Sequence, residues 1–528
     1  MRPLIRVVTG PEAAARDAST IAAGVPSRAL MQRAGAAAAA EIAARYPENL
    51  KRGALVLAGP GNNGGDGWVI ARALADAGAA VNVLAPDGAR SPDCVAEREV
   101  AGASVSEVTE YSGEGVVIDA LLGTGSTGKV RGAIGDARSL MIFARDRGAA
   151  VVAIDLPSGL DATSGAANDA ISADLTITFG TVKRGHLVSR GLCGAIVVMD
   201  IGLLPPEEDG LELVDADWVR GHVPPIAAES HKGTRKKLVI HGGAPGMAGA
   251  VVLGVRAALA SGIGMVKARV HPSVADAIHG AVPQALVDPW PGVTPDVILS
   301  ATPDVIQSAT PDVILSEARD PLSPDTWADV LVIGPGLGPG ARAAVERAAA
   351  RHAGPMVLDA DALTAFAGDL SALRAAIGDR PALITPHPIE CARLLGIESR
   401  EVLDRRFDIG AELAREIGAT VLLKGVPTVI SDPDGRRLVV AAGTPTLATG
   451  GSGDVLCGIA GTLLAQMDDA LIAGACAAWI HGRAAELSGP YARGTTLDDV
   501  LGMLPNAWRI PEPSLRYPVL AELPAVSS

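Results

Sequence analysis

The sequence predicts an α/β protein of two domains, each with a parallel sheet between two layers of helices. Short apolar runs that can form buried strands alternate with Ala-rich runs at helical spacing along most of the 528 residues. Most of the apolar runs end in glycine-rich or polar loops, as strands of parallel sheets do where they meet ligands. Aromatic residues make up 3% of the chain and apolar residues 48%, so the core must consist mainly of Ala, Val, Leu and Ile.

Helices open the chain, and an alternation of strands and helices follows. Residues 1–50 read as helices, because Leu30, Met31, Ala34 and Ala38 recur at helical spacing. Strands are predicted at residues 54–59, 80–86, 116–123, 150–159 and 175–180, with a helix at 68–78. This order gives β–α–β units, which form parallel sheets.

A Pro-rich, acidic stretch between Pro205 and Ser230 is typical of a linker. It places a boundary near residue 222, so the sequence predicts one domain over residues 1–222 and a second over residues 223–528. Strands of the second domain are predicted at residues 236–243, 265–270, 329–338, 355–363, 381–388, 420–425 and 427–432, with helices from Val455 onward.

An eight-residue unit beginning TPDVI occurs at positions 294, 302 and 310. Three such units are too short for a solenoid, whose repeats run to roughly 20 residues or more. We predict a surface insertion over about residues 291–320, in a connection where added length costs little stability.

Charge and cysteine content exclude several classes of protein. The net charge of −14 disfavours binding of nucleic acid or anionic lipid over the whole surface, so any bound anion must meet local donors. The five cysteines are scattered without a CxxC pair, which indicates neither a zinc site nor a disulfide framework. No signal-peptide pattern opens the chain, and no charge-free apolar run reaches the roughly 18 residues of a membrane span. We therefore expect a cytoplasmic protein without nucleic-acid or membrane partners.

The loop GPGNNGGDG after the first strand imitates a dinucleotide-binding fingerprint. Its GxGxxG spacing at residues 59–64 lies between a strand and a helix, and Asp87 follows as a candidate ribose ligand. Taken alone, the loop indicates a Rossmann-like, NAD-linked oxidoreductase. Asn62, Asn63 and Asp66 add amides and a carboxylate that a plain pyrophosphate turn does not need. They indicate chemistry or a bound cation, although a structural turn would also explain the glycines.

The loop GTGSTGK (123–129) has the GxxxxGK spacing of a P-loop, but Val130 stands where a P-loop needs Ser or Thr after Lys129. We therefore reject a Walker A site, although the backbone N–H groups of this loop can still bind a phosphate. Asp119 lies at the end of the preceding strand, and DLPSGLD (155–161) ends the next one. Since the carboxyl ends of parallel strands meet at one edge of a sheet, these loops are predicted to converge on one cleft.

In this order, VPSRALMQRAG, GPGNNGGDG, DALLGTG and DLPSGLD resemble the NAD(P)H-hydrate epimerase family over about residues 1–220. That family interconverts the two C6 epimers of hydrated NADH or NADPH with a bound potassium ion. The resemblance implies that Asn63, Asp119 and Ser158 bind K⁺, since a hard cation prefers amide, carboxylate and hydroxyl oxygens. It makes Asp155 the first candidate for the proton shuttle of epimerisation, although an aspartate here can also cap the following turn. It implies binding of the hydrated dinucleotide by Asn62, Asn63, Gly64, Gly65, Asp66, Gly123, Thr124, Gly125, Ser126, Thr127, Gly128, Lys129 and Asp155.

Another glycine-rich loop, TGGSGDVL, precedes the C-terminal helices. Gly450, Gly451 and Gly453 flank a helix N-terminus whose free N–H groups can bind an anion, and Asp454 stands at its mouth. This arrangement suits phosphoryl transfer, in which Asp454 takes the proton of an attacking hydroxyl. An N-cap role would explain the aspartate alone.

Two residues at other strand ends are also candidates. Lys424 follows a strand and can meet a nucleotide phosphate, although a lone lysine at such a position is usually only solvated. His387 lies between two prolines that fix its loop, although a structural histidine is the default interpretation. The turn GPGLG (334–338) is weak evidence by itself.

Together HKG, LVIHGGAPGMAGA, GPGLG, LDADAL, TPHPIE, KGVPT and GGSGDVL resemble the NAD(P)H-hydrate dehydratase branch of the ribokinase-like fold, over about residues 228–505. That family removes the C6 hydroxyl of the S epimer with a nucleotide, ADP in the bacterial type, by phosphate transfer to that oxygen and elimination. The resemblance implies that Asp454 activates the hydroxyl and that Mg²⁺ accompanies the phosphates. Ile389 and Ser452 depart from the family's usual glycine and threonine. The resemblance implies nucleotide binding by Lys424, Gly425, Val426, Pro427, Thr428 and Gly453, and contacts to the hydrated coenzyme from Ala250, Gly338, His387 and Asp454.

The predicted function is repair of hydrated NADH and NADPH by epimerisation in the first domain and ADP-dependent dehydration in the second, giving AMP and phosphate. The alternative is a small-molecule alcohol kinase of the ribokinase type fused to a non-catalytic dinucleotide-binding module, since the anion hole and Asp454 can serve any hydroxyl acceptor. The preferred coenzyme stays open, and ADP over ATP rests on the resemblance. We expect small-molecule partners and a homo-oligomer, whose interface no residue pattern identifies.

Overall fold

The computed structural model describes residues 4–126, 128–206, 209–290, 325–489, 493–510 and 518–526. The chain forms two compact units: a first unit of Met1–Asp215 with Pro513–Ser528, and a second unit of Ala216–Glu512. The predicted insertion at about residues 291–320 lies outside the described residues. No described helix combines the length and the apolar character needed to cross a bilayer.

Strands and helices alternate along most of the described chain. In chain order the strands are β1 (Arg6–Val8), β2 (Ala54–Ala58), β3 (Val81–Leu84), β4 (Ser106–Glu107), β5 (Val116–Ala120), β6 (Ala150–Ile154), β7 (Leu175–Phe179), β8 (Thr181–Lys183), β9 (Ala195–Met199), β10 (Leu211–Val214), β11 (Lys237–His241), β12 (Met265–Val270), β13 (Leu286–Pro289), β14 (Val330–Ile333), β15 (Met356–Leu358), β16 (Ala382–Ile384), β17 (Thr420–Leu423), β18 (Thr428–Ser431), β19 (Arg437–Val440) and β20 (Val519–Leu523). The helices are Gly10–Ala22, Ser27–Arg45, Pro47–Leu50, Asn62–Asp76, Pro92–Ala101, Gly132–Arg145, Arg184–Val188, Arg190–Cys193, Ala216–His222, Ala248–Ala260, Ala275–Ala281, Ala341–Arg351, Asp361–Thr364, Leu370–Ile377, Pro388–Leu395, Ser399–Asp404, Ile409–Ile417, Ser452–Gln466, Ala470–Ser488 and Leu497–Ala507, with 3₁₀ turns at Pro272–Val274 and Pro445–Leu447.

Among the described residues, the main sheet of the first unit has the strand order β20-β9-β7-β6-β5-β2-β3-β4. Neighbouring strands run parallel except for β20, which pairs antiparallel with β9. Alternate residues of β2 face opposite layers of helices: Val56 packs in one core cluster with Trp68, and Leu55 in another with Met141. The predicted Rossmann-like parallel sheet between two helical layers is confirmed.

The helix after β2 begins earlier than the sequence predicts. NNGGDG was expected to form a loop before a helix at 68–78, but it forms the first turns of helix Asn62–Asp76. Glycine is required there, because a Cβ at Gly64 would lie 1.8 Å from the carbonyl oxygen of Gly59. This close approach brings the start of the helix, with Asn62 and Asn63, to the carboxyl end of β2.

The described part of the second unit has a sheet of order β13-β12-β11-β14-β15-β16-β17-β18-β19. The strands run parallel from β13 to β17, whereas β17, β18 and β19 form antiparallel pairs. On one face Ile333 packs in a cluster with Leu413 from a helix. On the other face helix Ser452–Gln466 approaches so closely that a Cβ at Gly461 would lie 2.5 Å from side-chain atoms of Leu238 and Val332. The predicted three-layer α/β arrangement is confirmed in this unit as well.

The C-terminal tail folds with the first unit, although the sequence prediction assigned it to a domain of residues 223–528. β20 pairs with β9, and the backbone N–H of Asp200 donates to the carbonyl oxygen of Pro518 at 2.7 Å. Arg45 Nη2 lies 2.8 Å from the carboxylate of Glu522. A five-residue strand has no periodicity that reveals its partner, so the pattern could not place it.

The division between the units falls after Asp215 rather than at residue 222. Helix Ala216–His222 packs against helix Ala470–Ser488 of the second unit. The Pro-rich composition that predicted a linker therefore covers a helix of the second unit.

Candidate functional sites

A cavity of about 760 Å³ lies in the first unit at the carboxyl ends of β2, β5 and β6. The predicted binding residues that line it are Asn62, Asn63, Asp66, Gly123, Thr124, Gly125, Ser126 and Asp155. They come from three segments that are distant in sequence and adjacent in the sheet, as the parallel order of the strands requires.

Four predicted contacts, Gly64, Gly65, Gly128 and Lys129, are not among the residues that line this cavity. Gly64 and Gly65 are buried within helix Asn62–Asp76, where a Cβ at Gly65 would lie 2.5 Å from the Met31 side chain. Gly128 and Lys129 are exposed, and Thr127 lies outside the described residues. Binding roles for these five residues stay predictions.

The three predicted K⁺ ligands divide into a hydrogen-bonded pair and a side chain without a partner. Ser158 donates to Asp119 twice, from its hydroxyl at 2.6 Å and from its backbone N–H at 2.8 Å. Burial raises the pKa of Asp119, although these hydrogen bonds oppose the shift. Both polar atoms of the Asn63 side chain are buried without a hydrogen-bond partner among the described residues. Such an amide is costly to bury unless a ligand satisfies it, and its oxygen suits a hard cation.

Asp155 is held in place through both its backbone and its side chain. Its φ of +65° lies in the left-handed region, and its backbone N–H donates to the carbonyl oxygen of Ile177 at 2.7 Å. Its Oδ2 accepts the backbone N–H of Thr124 at 3.0 Å. The glycine-rich loop after β5 is therefore hydrogen-bonded directly to the Asp155 carboxylate in the cavity wall.

The sequence interpretation missed a lysine and a histidine that contact Asp155. The buried ammonium of Lys183 pairs with the Asp155 carboxylate and also donates to the Thr178 hydroxyl at 2.7 Å. Burial raises the pKa of Asp155, but the nearby ammonium outweighs burial and holds that pKa below its usual range. A KxxH spacing directly after a predicted strand, in TVKRGH, was the available signal.

His186 links the backbones of the two paired residues. Its Nε2 lies 2.8 Å from the carbonyl oxygen of Asp155, and its Nδ1 accepts the backbone N–H of Lys183 at 3.2 Å. Burial, together with the neighbouring ammonium, lowers the pKa of His186 to about 3. The ring is therefore neutral, with its proton on Nε2, and it acts as a fixed bridge.

Asp17 and Asp66 are further carboxylates that line the cavity, and Arg16 lines it as well. Burial raises the pKa of Asp66 well above its usual value, and the charges of Asp155 and Asp17 raise it further. Burial also raises the pKa of Asp17, although Lys183 opposes that shift. The Lys183 ammonium therefore acts on all three of the carboxylates Asp17, Asp66 and Asp155.

In the second unit, Asp454 lies in the first turn of helix Ser452–Gln466, which begins after Gly451 with φ of +93°. Burial raises the pKa of Asp454 to about 6, and the charge of Asp359 adds to this effect while Lys424 opposes it. A carboxyl group with such a pKa can exchange a proton near neutral pH. Asp454 therefore has the properties of the base that the sequence predicts.

Lys424 does not extend freely towards solvent as the predicted phosphate ligand would. Its Nζ lies 2.8 Å from Asp359 Oδ1 and 3.9 Å from Glu390 Oε2. Burial would lower its pKa, but these two carboxylates raise it. The ammonium is therefore charged and already paired, and a phosphate would have to share it.

Gly453 lies next to this ion pair. A Cβ at Gly453 would stand 3.2 Å from Asp359 Oδ2 and 3.3 Å from Lys424 Nζ. The sulfur of Cys457, one turn further along the helix, donates to the same Asp359 Oδ2 at 3.2 Å. Asp359 therefore lies beside the GGSGD loop and pairs with Lys424 of KGVPT. It belongs to the LDADAL motif, and the sequence interpretation gave it no role.

His387 has a structural role that the sequence interpretation named as its default. Its Nδ1 accepts the backbone N–H groups of Ile389 at 3.1 Å and Glu390 at 3.3 Å, so that it caps helix Pro388–Leu395. Burial and the charge of Lys424 lower its pKa. A contact to the coenzyme would have to use Nε2, which lies 3.5 Å from Glu390 Oε1.

The remaining predicted contacts of the second unit lie at loop and helix ends. The backbone N–H of Gly338 donates to Asp361 at 2.8 Å. A Cβ at Gly336 would stand 3.5 Å from the Cβ of Ala250, so the GPGLG turn lies against helix Ala248–Ala260. The residues from Gly425 to Thr428 connect β17 to β18, and the Thr428 hydroxyl donates to the carbonyl oxygen of Gly425 at 3.2 Å. These positions are compatible with ligand contacts, which stay predictions.

The fold and the two candidate sites are those of an α/β enzyme with buried carboxylates at the strand ends of each unit. A family model described as NAD(P)H-hydrate dehydratase matches residues 238–505, and one described as YjeF-related protein N-terminus matches residues 27–185. The chain is 35% identical to the bifunctional NAD(P)H-hydrate repair enzyme Nnr of Moorella thermoacetica, over 94% of this chain and 96% of that relative. It is 34% identical to the enzyme of the same name from Escherichia coli K12, over 87% of this chain and 84% of that relative. The chain therefore belongs to the family of bifunctional NAD(P)H-hydrate repair enzymes.

A solved structure gives a further likeness. The ADP/ATP-dependent NAD(P)H-hydrate dehydratase of Bacillus subtilis, co-crystallised with ATP and Mg²⁺, is 26% identical with a TM-score of 0.45, over 56% of this chain and 98% of that chain. The predicted family is confirmed by the curated relatives, and with it the pairing of epimerase and dehydratase activities. The roles of individual residues stay predictions.

Proposed function

We propose that the first unit interconverts the R and S epimers of hydrated NADH and NADPH, and that the second unit dehydrates the S epimer with ADP. The observation that carries the proposal is Asp454, whose pKa is raised to about 6 at the N-terminus of helix Ser452–Gln466. A base with this pKa can take up and release a proton near neutral pH, and the helix N-terminus supplies N–H groups for a phosphate. Asp454 is partly buried in the first turn of a helix that directly follows Gly450 and Gly451.

The dehydratase reaction uses Asp454 as the base. Asp454 takes the proton of the C6 hydroxyl while that oxygen attacks the terminal phosphorus of ADP, and the bond to the bridging oxygen breaks with its electrons leaving on AMP. The phosphate then leaves C6 with the C–O electron pair, a water molecule takes a proton from C5, and the C5–H electron pair forms the C5=C6 double bond. Phosphorylation is needed because hydroxide is a poor leaving group. Burial of Asp454 favours the transfer, since it keeps the carboxylate from being fully solvated.

The nucleotide is proposed to lie between the Lys424–Thr428 loop and Gly453. The pairing of Lys424 with Asp359 supports this placement, because it holds a charged ammonium beside the helix N-terminus. Mg²⁺ would supply positive charge at the phosphates. Among the described residues, no cluster of three or more His, Cys, Asp or Glu side chains could hold a metal ion.

In the first unit, Asp155, the first candidate for the proton shuttle in the sequence, is proposed to face the reacting carbon. Its fixed position and its lowered pKa support the role of a permanent anion that stabilises positive charge on the nicotinamide ring. K⁺ would be held by Asn63, Asp119 and Ser158, and it would supply charge to balance the carboxylates of the cavity. The unpartnered Asn63 amide supports this assignment.

The proposed function is tested with purified full-length protein, ADP, Mg²⁺ and a mixture of both hydrate epimers. We expect complete recovery of the absorbance of the reduced nicotinamide and one AMP for each molecule repaired. Recovery of only the S fraction would refute the epimerase part, and a stable phosphate ester would instead indicate an alcohol kinase. Asp454→Asn should lower the dehydration rate by about 10²–10⁴-fold, as loss of a general base does. The same variant should still interconvert the epimers.

A further inference from the structure

The first unit holds a buried ammonium in the wall of its cavity. Lys183 ends β8, and its side chain is 3% exposed, yet it lines the cavity. Its Nζ donates to the Thr178 hydroxyl at 2.7 Å and to the Asp155 carboxylate. An ammonium group has three N–H donors, and among the described residues only these two acceptors engage it. The third N–H is therefore available to a ligand in the cavity.

Asp155 itself is poorly placed to receive a proton. Its Oδ2 accepts the Thr124 backbone N–H at 3.0 Å, and its Oδ1 accepts the Lys183 ammonium and lies 3.4 Å from the Thr178 hydroxyl. Hydrogen bonds to a carboxylate stabilise its charged form and weaken it as a base. A proton that moves in the epimerisation must therefore come from a different group.

We propose that Lys183 is the acid of the epimerisation, a role that rests on the proposed epimerase function of the cavity. The Lys183 ammonium gives one proton to the C6 hydroxyl oxygen, and the C6–O bond breaks with its electron pair leaving on oxygen as water. The lone pair of N1 then forms a double bond to C6, and the Asp155 carboxylate stabilises the resulting cation. Water adds to either face of this flat centre, N1 regains its lone pair, and the added water returns a proton to the Lys183 amine.

The backbone around the pair fixes the acid relative to its counter-ion. The His186 ring accepts the backbone N–H of Lys183 at 3.2 Å and donates to the carbonyl oxygen of Asp155 at 2.8 Å. The backbone N–H of Asp155 is in turn held by Ile177 at 2.7 Å. Both residues are therefore positioned before a substrate binds, which lowers the reorganisation needed in the transition state.

A pair of substitutions separates the charge of Lys183 from its ability to release a proton. Lys183→Arg keeps a cation beside Asp155, but a guanidinium is effectively always protonated, so it cannot act as the acid. We expect kcat for epimer exchange to fall by about 10²–10⁴-fold in Lys183→Arg, with a much smaller change in KM. Lys183→Met should exchange the epimers as slowly as Lys183→Arg. It should also bind the hydrate more weakly, because Asp155 loses its counter-ion. Lys51→Met is the matched control, since Lys51 is an exposed lysine of the same unit, paired with Glu48.

The rate of exchange is measured on separated R hydrate by chromatography, and ADP-dependent dehydration of pure S hydrate by the same chain serves as an internal control. A Lys183→Arg variant that exchanges the epimers at the wild-type rate would overturn the inference. It would leave the proposed function intact. Wild-type protein that does not exchange them would refute the proposed function itself. Should the variants not fold, wild-type protein in H₂¹⁸O still tests the step. Uptake of ¹⁸O at C6 with each inversion supports it, and inversion without uptake overturns it.

Discussion

The carboxylate of Asp359 holds the ammonium of Lys424 at 2.8 Å, directly beside the helix that carries Asp454. The charge of Asp359 is the largest contribution after burial to the raised pKa of Asp454, which is about 6. One buried anion therefore sets both the position of the predicted nucleotide ligand and the proton affinity of the predicted base. Asp359 need not touch the coenzyme to affect the reaction, so it is a positioning residue.

Asp359→Asn is expected to shift the pH dependence of dehydration towards acid. Asp454 acts only when it is deprotonated, so activity is lost as the pH falls through its pKa of about 6. Removing the negative charge of Asp359 lowers that pKa. In a plot of kcat against pH, the acid limb should therefore move to lower pH. Asp404→Asn, which neutralises an exposed carboxylate of the same unit, should leave the limb in place. A limb that does not move in Asp359→Asn would contradict the coupling of Asp359 to Asp454.

Gly64→Ala is expected to destabilise the first unit. The added Cβ would lie 1.8 Å from the carbonyl oxygen of Gly59, and overpacking against backbone costs about 1–3 kcal/mol. Gly61→Ala in the same loop is the matched control, because a Cβ there meets nothing within 4 Å and φ is −96°. Thermal unfolding followed through epimerase activity should show a lowered midpoint for Gly64→Ala only. Equal midpoints for the two variants would mean that the contact between helix and strand loop is not rigid.

Local patterns in the sequence were sufficient for the architecture. Apolar runs bounded by glycine predicted the strands, so that residues 54–59 correspond to the observed Ala54–Ala58. Glycine-rich loops at strand ends predicted where the candidate sites lie. Asp454 was recognised because a helix N-terminus and a carboxylate adjoin each other in sequence. Each of these features depends on neighbours along the chain.

Features that depend on distant contacts could not be predicted. Lys183 meets Asp155 across 28 residues of chain, and nothing in TVKRGH identifies its partner. The helical start at Asn62 contradicts the low helix propensity of Asn and Gly, because tertiary packing overrides propensity. No local pattern pairs Lys424 with Asp359, which lies 65 residues away and is brought to it only by the order of the strands.

The five cysteines are expected to resist thiol reagents in the folded protein. All five are buried, and burial raises the pKa of Cys94 to about 11 and those of Cys193, Cys391 and Cys476 to about 12. Since the thiolate is the reactive form, labelling in native buffer should be negligible, and denaturant should release five thiols. Mass spectrometry after exposure to an alkylating reagent measures how many cysteines are labelled in native buffer and how many in denaturant. Rapid labelling of any one cysteine would show that the surrounding core opens readily.

Truncation after Glu512 is expected to destabilise the first unit and spare the second. The deletion removes β20, in which Leu523 is 6% exposed, and loss of one such buried leucine costs about 1.5–3 kcal/mol. It also leaves β9 as an unpaired sheet edge, which favours aggregation. Epimerase activity should therefore be lost at a lower temperature, whereas the midpoint for dehydration should not change. Glu522→Gln neutralises the partly exposed partner of Arg45 and should cost at most about 1 kcal/mol. A truncated chain whose epimerase activity melts like that of the full chain would mean that β20 is dispensable, and that the first unit is complete without the end of the chain.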